Sequence, residues 1–238
     1  MYSKSAFLKD LKAFRIPEKA AFFPRFFKTG KGQYGEGDQF WGITVPNIRI
    51  VAKKYFASIS IDDLSELLQN PIHEIRLCAL LMMVYRYESK SLPDMRAALY
   101  KLISTHTDFV NNWDLVDSSA GQIVGAWLFD KKRDQLYTWA KKGHLWEQRM
   151  AIVATFYFIR KNQFEDTVAI CKLLLKHEHD LIRKACGWML REVGKRNEEV
   201  LIYFLAEHHA EMPRTMLRYA IEKLPESRRK RLLEGKYF

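Results

Sequence analysis

The stretch Ile182-Arg-Lys-Ala-Cys-Gly-Trp-Met-Leu-Arg-Glu192 carries the pattern that decides the fold. Ile182, Ala185, Cys186 and Met189 follow one another at i, i+3, i+4 and i+7, which places these apolar side chains on one face of an α-helix. The same apolar stripe begins at three other places in the chain: Ile75, Val116 and Leu217. Because no helix can bury its own stripe, neighbouring helices must pack against each other.

The four stripes are regularly spaced, which indicates an internal repeat. Their starting positions are separated by 41, 66 and 35 residues, and 66 residues is two steps of 33, so a further copy is expected near residue 150. Partner helices are predicted near 93–106, 132–142, 164–176 and 197–207, and earlier helices near 4–14, 17–28, 46–57 and 61–69. A period of about 33–41 residues built from helix pairs is typical of HEAT or armadillo solenoids.

These patterns predict an all-α fold, a curved α-solenoid of HEAT-like helix pairs with a concave basic groove. Residues 1–238 are expected to form a single domain. A helical domain that contains similar amphipathic helices without a true repeat is the alternative.

The composition agrees with a helical protein of the cytoplasm. Five of the 11 glycines fall between Gly30 and Gly42, so the remaining chain has few turn signals and an all-β fold is disfavoured. No apolar run reaches the ~18 residues of a membrane span, and the first ten residues lack the apolar core of a signal peptide. Three scattered cysteines favour buried thiols in a reducing compartment. We therefore expect a cytoplasmic protein with no membrane partner.

The charge points to an anionic partner. The chain has 39 basic and 28 acidic residues, a net charge of +11 and a pI near 9.5. Residues 1–119 hold 16 basic and 13 acidic residues, whereas residues 120–238 hold 23 and 15. A folded domain with a pI above about 9 is typical of proteins that bind nucleic acid, although charge alone also fits a basic protein with no such role.

The position that follows each stripe start suggests where phosphates bind. It is Arg76, Asp117, Arg183 and Arg218 in turn. The arginines suit a phosphate-binding surface, whereas a carboxylate beside phosphates weakens binding. Asp117 is therefore either part of a surface salt bridge or a residue with a chemical role.

The neighbours of Asp117 favour a chemical role. Trp113 lies four residues earlier and shares its helical face. Trp188 occupies the equivalent helix two repeats later, next to Gly187, and Arg149 lies in the repeat between. Two tryptophans and an arginine around a carboxylate can hold a sugar-phosphate unit, although a single tryptophan is more often a core residue.

Three segments of this chain resemble those of the AlkD-type DNA alkylation repair proteins. They are Asn112-Trp-Asp-Leu-Val-Asp117, Leu145-Trp-Glu-Gln-Arg-Met-Ala-Ile152 and Ile182-Arg-Lys-Ala-Cys-Gly-Trp-Met-Leu-Arg-Glu192. Their order and separations match over nearly the whole chain. Those proteins are HEAT-like bacterial DNA glycosylases that excise positively charged alkylpurines.

The resemblance implies a role for each of the four residues. Asp117 matches the catalytic aspartate, Trp113 and Trp188 match the two tryptophans against the lesion's deoxyribose, and Arg149 matches an arginine that contacts phosphate. The family leaves the damaged base in the stack and grips the backbone, and this sequence shows no evident nucleobase-pocket motif. The resemblance also implies that the protein is a monomer that binds double-stranded DNA. Lys28, Lys31 and Arg191 are predicted to bind DNA together with Arg76, Arg183 and Arg218.

Two features depart from the best-known members. Phe26 stands where those members have a tyrosine, and the glycine-rich stretch Thr29–Asp38 is longer than their short link.

Gly30-Lys-Gly-Gln-Tyr-Gly35 matches G-x-G-x-x-G, but no strand precedes it, so a dinucleotide site is improbable. A mobile loop or small hairpin is expected there. Two roles are open for this segment: its free backbone amides, together with Lys28 and Lys31, bind a phosphate, or the segment is only a structural turn. No metal-ligand spacing is present, and neither a metal nor another cofactor is expected.

Three functions follow from this reasoning. The first is a monofunctional glycosylase that hydrolytically excises N3- or N7-alkylated purines from double-stranded DNA during base excision repair. The second is a non-catalytic protein that binds branched or structured DNA. The third is a scaffold that recognises an acidic peptide along its basic groove.

Overall fold

The computed structural model describes residues 2–236, and its regular secondary structure is helical. Within this range there is no β-strand, and Gln39 and Ile72 form one isolated parallel bridge. The prediction of an all-α fold is confirmed, and the helices pack in the manner of an α-solenoid. The chain divides into two compact units, Met1–Trp127 and Leu128–Phe238.

From residue 2 onward, the first unit shows seven α-helices and a π-helical segment, followed by the short helix α8 at the boundary between the units. Their bounds are α1 (Lys4–Lys12), α2 (Pro17–Phe26), α3 (Val45–Tyr55), α4 (Ile61–Leu68), α5 (His73–Glu88), α6 (Arg96–Thr105), α7 (Trp113–Asp117), the π-helical segment Ala120–Gly125 and α8 (Ala126–Leu128). A 3₁₀ turn, Thr107–Phe109, precedes α7. Helix starts follow local chemistry: Ser60 and Asp63 form a capping box on α4, and Pro17 opens α2.

Helix α5 is the centre of the first unit. It packs against α3, α4, α7 and the π-helical segment, and nearly all of its side chains are buried, including Leu80 and Leu81. Burying a leucine side chain stabilises a fold by about 1.5–3 kcal/mol, so this helix anchors the unit. Because α5 touches neighbours on several sides, it also fixes the position of α7.

The second unit is built around a helix of 15 residues, α13 (Asp180–Gly194). The remaining helices are α9 (Asp134–Lys142), α10 (Leu145–Ala154), α11 (Phe156–Ile159), α12 (Glu165–Leu173), α14 (Glu198–His208), α15 (Arg214–Ala220) and α16 (Glu226–Leu233). Helices α10, α12, α14 and α15 all pack on α13. The stripe Ile182, Ala185, Cys186 and Met189 is buried, as its spacing predicts.

Cys78, Cys171 and Cys186 are free and buried, in agreement with the expectation of buried thiols. None of the helices in residues 2–236 has the length and apolar character required to cross a membrane.

Candidate functional site

Helix α7 presents Trp113 and Asp117 to the same cleft of the first unit. The Asn112 side chain caps the helix, since its Oδ1 accepts a hydrogen bond from the Trp113 N–H at 2.9 Å. Trp113 and Asp117 are one helical turn apart, and both line the cleft. The carboxylate and the indole ring therefore face one space.

The cleft has a volume of about 690 Å³, is open to solvent, and is lined by residues of α2, α3, α5, α7 and the π-helical segment. Its apolar lining includes Ile48, Leu77, Leu81 and Val84, and its aromatic lining includes Phe26, Phe27 and Trp113. The ionisable and amide groups that line it are Arg49, His73, Glu74, Tyr85, Glu88, Asp114, Asp117 and Gln122. A mostly apolar concavity with a few polar groups is the usual form of a ligand site.

The aromatic side of the cleft is a cluster of packed rings. The rings of Phe27 and Trp113 stack at 5.7 Å with 23° between their planes, and Phe26 meets Trp113 edge to face at 5.9 Å. Phe26 also meets Phe27 edge to face at 4.9 Å. Each such pair contributes about 0.5–1.5 kcal/mol beyond its buried area, so the indole is held firmly. Phe26 nevertheless remains 48% exposed, and it lines the cleft.

His73 binds the first turn of α7 through Asp114. Its ring Nδ1 lies 2.9 Å from Asp38 Oδ2, and its Nε2 lies 2.8 Å from Asp114 Oδ2. Burial alone would lower the pKa of His73, but the charges and hydrogen bonds of Asp114 and Asp38 outweigh it and raise the pKa to about 9. The ring is therefore an imidazolium at neutral pH, and both of its N–H groups donate to carboxylates.

The glycine-rich segment is a structural connection. Asp38 accepts hydrogen bonds from His73 and Arg76, and the Glu74 carboxylate accepts from the backbone N–H groups of Trp41, Gly42 and Ile43. Of the two forms expected for this segment, a loop or a small hairpin, the structure shows a loop of turns, which the single bridge between Gln39 and Ile72 connects to the start of α5.

The amides of this segment do not support a phosphate site. The Gly30 N–H donates to Gln33, the Gly32 N–H donates to Glu36, and the Gly35 N–H donates to the Lys28 carbonyl. Of the two alternatives from the sequence, the structural turn is therefore favoured. Lys28 and Lys31 are exposed, and Lys28 has a positive φ of 56°.

Arg76 is not available for the phosphate contact predicted from the sequence. Its side chain is buried, and its guanidinium pairs with Asp38 at 2.6 Å. The same group donates to the Asn70 carbonyl at 2.8 Å and to the Asn111 side chain at 2.9 Å. Arg76 thus connects α5 to the segments on either side of it, and its charge is neutralised inside the unit.

Arg149 and Trp188 belong to the second unit. Arg149 lies on α10, is only 5% exposed, and donates to the Leu181 carbonyl in the first turn of α13 at 2.5 Å. Trp188 lies on α13, is half-buried, and its ring is tilted 40° against Phe156 at 5.9 Å. Trp188 thus retains an accessible part, whereas Arg149 makes a structural contact in this conformation.

The other predicted DNA-binding arginines differ in their availability. Arg183 donates through Nε to the His177 carbonyl at 2.7 Å, and Arg191 forms ion pairs with Glu192 and Glu222. Arg218 is exposed, and no hydrogen bond or ion pair engages it among residues 2–236. The same residue range contains no cluster of three or more His, Cys, Asp or Glu side chains placed to hold a metal ion.

Comparison with protein families shows to which family the chain belongs. The family model described as "DNA alkylation repair enzyme" matches residues 7–224, which is nearly the whole chain. The chain belongs to the DNA alkylation repair enzyme family. The family resemblance drawn from the three sequence segments is thereby confirmed.

A solved structure supports the fold of this DNA alkylation repair family member. A protein described as a predicted DNA alkylation repair enzyme from Enterococcus faecalis matches it with a TM-score of 0.68 and 18% sequence identity. The match covers 89% of this chain and 97% of the other. A comparison with curated proteins gives no match.

Sequence reasoning missed several residues at the cleft of this repair-family protein. Asp38, His73 and Asp114 lie far apart in the chain, and nothing in their local sequences indicates a shared hydrogen-bond network. Phe27 resembles any apolar residue at a helix end, yet it stacks on Trp113. A signal for His73 is present in the sequence, because His73 and Glu74 are two polar residues that begin an otherwise apolar helix.

Proposed function

We propose that this protein is a monofunctional DNA glycosylase that hydrolytically excises positively charged N3- or N7-alkylated purines from double-stranded DNA in base excision repair. The observation that carries the proposal is the shared placement of Asp117 and Trp113, one turn apart, at a cleft walled by aromatic rings. Membership of the alkylation repair family supports DNA as the substrate.

The chemistry requires little beyond a carboxylate and water. An N3- or N7-alkylated purine carries a positive charge, so the electrons of the breaking C1′–N9 bond neutralise the departing base and no general acid is needed. The sugar becomes an oxocarbenium-like cation, which the Asp117 carboxylate stabilises. Water then adds to C1′ and loses its proton to the carboxylate or to solvent. The products are a neutral alkylpurine and an abasic site, formed without metal or cofactor.

Trp113 stabilises the same positive charge, which develops on the sugar. The face of an indole ring attracts cations, by about 0.5–2 kcal/mol depending on solvation, and Phe26 and Phe27 hold this ring in place. We assign to Trp188 a contact with the lesion's deoxyribose and to Arg149 a contact with phosphate, as the resemblance implies. Arg149 must then exchange its bond to the Leu181 carbonyl for one to DNA.

The rest of the DNA contact is assigned to exposed basic side chains. Lys28, Lys31 and Arg218 are the exposed members of the predicted set, and Arg183 is partly exposed. Arg191 can contribute only if its ion pairs with Glu192 and Glu222 open. We further propose that the protein acts as a monomer in the cytoplasm, at the nucleoid.

The test is base release under single-turnover conditions. Duplex DNA methylated at guanine N7 is incubated with excess wild-type protein, and released 7-methylguanine is quantified by chromatography. We expect release far above the spontaneous rate. Absence of release at any protein excess, combined with tighter binding to branched than to linear duplex, would contradict the proposal and indicate a non-catalytic DNA-binding protein.

A further inference from the structure

We infer that the second unit holds a phosphate-binding site of its own, a cavity beside Trp188 that takes a phosphodiester of the DNA backbone close to the lesion. The inference rests on the proposed function, which places the lesion's deoxyribose at Trp188, and it names residues that the predicted DNA-binding set does not contain. The cavity has a volume of about 490 Å³. Its lining belongs to the second unit and includes Phe156, Arg160, Asn162, Glu192, Lys195 and Arg196.

The cavity adjoins Trp188 along α13. Trp188, Glu192 and Lys195 stand at i, i+4 and i+7, so their side chains share one face of the helix. Phe156, whose ring contacts Trp188 at 5.9 Å, also lines the cavity. Seven residues of helix span about 10.5 Å, whereas successive phosphates of one strand lie about 3.4 Å apart along the DNA axis. A phosphate in the cavity is therefore within about three nucleotides of a sugar at Trp188.

The charge of the cavity favours an anion. Arg160, Lys195 and Arg196 line it, against the carboxylate of Glu192. That carboxylate is already paired, with Lys195 at 2.6 Å and with Arg191 at 3.4 Å. Arg160 is exposed, and no hydrogen bond or ion pair engages its side chain within residues 2–236. The positive charge of the two cavity arginines is therefore available to a ligand.

The two arginines are brought together by the turn that follows α11 and by the carboxyl end of α13. Asn162 in this turn has a positive φ of 59°, a conformation that asparagine adopts more readily than most residues. Its Oδ1 accepts a hydrogen bond from Arg196 Nη1 at 3.3 Å, which fixes the guanidinium at the cavity. A guanidinium donates two parallel hydrogen bonds to a phosphate, so a pair of them suits a phosphodiester.

These arginines are more available than those implied by the family resemblance. Arg149 is 5% exposed and donates to the Leu181 carbonyl, and Arg191 is paired with Glu192 and Glu222. Both must break existing contacts before they can bind DNA, whereas Arg160 loses none. The free-energy cost of a phosphate contact is therefore lower at Arg160.

The experiment measures DNA affinity by fluorescence anisotropy, with a duplex that carries one tetrahydrofuran abasic-site analogue. The analogue mimics the proposed product and sets the register of the protein on the DNA without requiring catalysis. Arg160→Ala should weaken binding about tenfold at about 0.1 M salt and lower the slope of log K against log salt by about 1, the effect of losing one phosphate contact. Because Arg160 is exposed, circular dichroism is expected to show unchanged folding.

Lys230→Ala is the matched control. It removes one positive charge from an exposed lysine that is paired with Glu226 at 3.0 Å and does not line the cavity. Its affinity for the duplex should be nearly that of wild type.

A single neutral methylphosphonate then locates the phosphate. It replaces, in turn, each of the three phosphates on either side of the analogue in the same strand, and wild type and Arg160→Ala are compared at each position. At one position it should weaken binding by wild type about tenfold. Binding by Arg160→Ala should not change there, because the partner of that phosphate is already missing.

The outcomes separate this inference from the proposed function. If every methylphosphonate weakens both proteins equally, Arg160 attracts DNA only through its general charge and the inference is overturned. Unchanged affinity of Arg160→Ala would also overturn it, and would leave the cavity arginines as cations that neutralise the carboxyl ends of α11 and α13. Coupling at one phosphate supports the inference even if wild type releases no 7-methylguanine. Release without coupling supports the proposed function and overturns the inference.

Discussion

His73 is a charged side chain placed where burial disfavours charge, and its two carboxylate partners keep it protonated. Asp38 comes from the glycine-rich segment and Asp114 from α7, so one ring joins two segments to the start of α5. The carboxylate of Asp38 is stabilised in turn, because hydrogen bonds and charge from His73 and Arg76 outweigh its burial and lower its pKa. The turn of α7 that presents Trp113 therefore depends on a buried ion network.

Stability should consequently fall at alkaline pH. The pKa of His73 is about 9 in the folded protein against 6.5 as its ordinary value, so its contribution is complete below pH 6.5 and is lost as pH rises through about 9. His73→Gln should lower the free energy of unfolding at pH 7 by about 3–5 kcal/mol, the usual cost of removing one partner of a buried ion pair. Urea unfolding from pH 6 to pH 10 measures both effects.

The difference between the wild-type and His73→Gln stability curves should shrink across this range. His106→Gln serves as control, because the Nε2 of His106 meets a neutral group, Ser65 Oγ, at 2.9 Å. Parallel curves for wild type and His73→Gln between pH 7 and pH 10 would show that His73 is not protonated in the folded protein.

At the scale of elements, the contact of α13 with α15 depends on Gly187. A Cβ at this position would lie 2.5 Å from the Met216 carbonyl oxygen and 2.6 Å from the Tyr219 Cβ. The absence of a side chain at Gly187 thus allows α15 to approach α13 closely. Trp188, its neighbour, is carried by the same helix, so its position depends on this contact.

Gly187→Ala should therefore destabilise the second unit. Overpacking of this kind costs typically about 1–3 kcal/mol, because backbone must move to accommodate the methyl group. Gly30→Ala is the matched control, since a Cβ there meets only the flexible Gln33 side chain, at 3.1 Å. Chemical denaturation of both variants checks the difference. Equal stabilities would mean that α15 can shift away without cost.

The elements show what the sequence can and cannot predict. Apolar spacing located the helices well, and the segment predicted at 197–207 is α14, Glu198–His208. The stripe from Val116 to Ile123 was expected in one regular helix, whereas the structure ends α7 at Asp117 and continues with a π-helical segment from Ala120. Both arrangements bury Val116 and Ile123, so the pattern of burial cannot distinguish them.

The cleft could not be predicted because it is assembled from elements far apart in the chain: α2, α3, α5, α7 and the π-helical segment. Trp113 and Asp117 were identified as a pair from their spacing and the family resemblance. In the sequence, Phe26 stands out only as a departure from the family, because its contact with Trp113 depends on how α2 packs near α7. The repeat position of Arg76 predicts a contact with DNA, yet the buried carboxylate of Asp38 neutralises its charge.

At the scale of the whole molecule, basic charge is concentrated in the second half of the sequence. The first unit has 16 basic and 13 acidic residues, and the second has 23 and 15. Several basic side chains of the second unit are paired with carboxylates, as Arg191 is with Glu222. The positive charge that can attract an external anion is therefore carried by exposed residues such as Arg218.

Arg218→Ala should weaken DNA binding uniformly across sequences. Removing one phosphate interaction reduces the slope of log K against log salt by about 1, so the variant's affinity should also depend less on salt. Lys131→Ala, which removes a lysine paired with Asp130 at 2.6 Å, should alter the slope less. Fluorescence anisotropy at several salt concentrations measures both. An unchanged slope for Arg218→Ala would place this residue outside the DNA interface.

The most direct test of the central claim is the single-turnover rate of 7-methylguanine release by Asp117→Asn compared with wild type. Removing the negative charge while preserving shape should slow release by about 10²–10³-fold, the usual effect of deleting one electrostatic contact to a transition state. Duplex affinity should remain equal or improve, and Asp62→Asn, an exposed aspartate of α4, should behave as wild type. Release by Asp117→Asn at the wild-type rate would contradict the assignment of Asp117 as the group that stabilises the sugar cation.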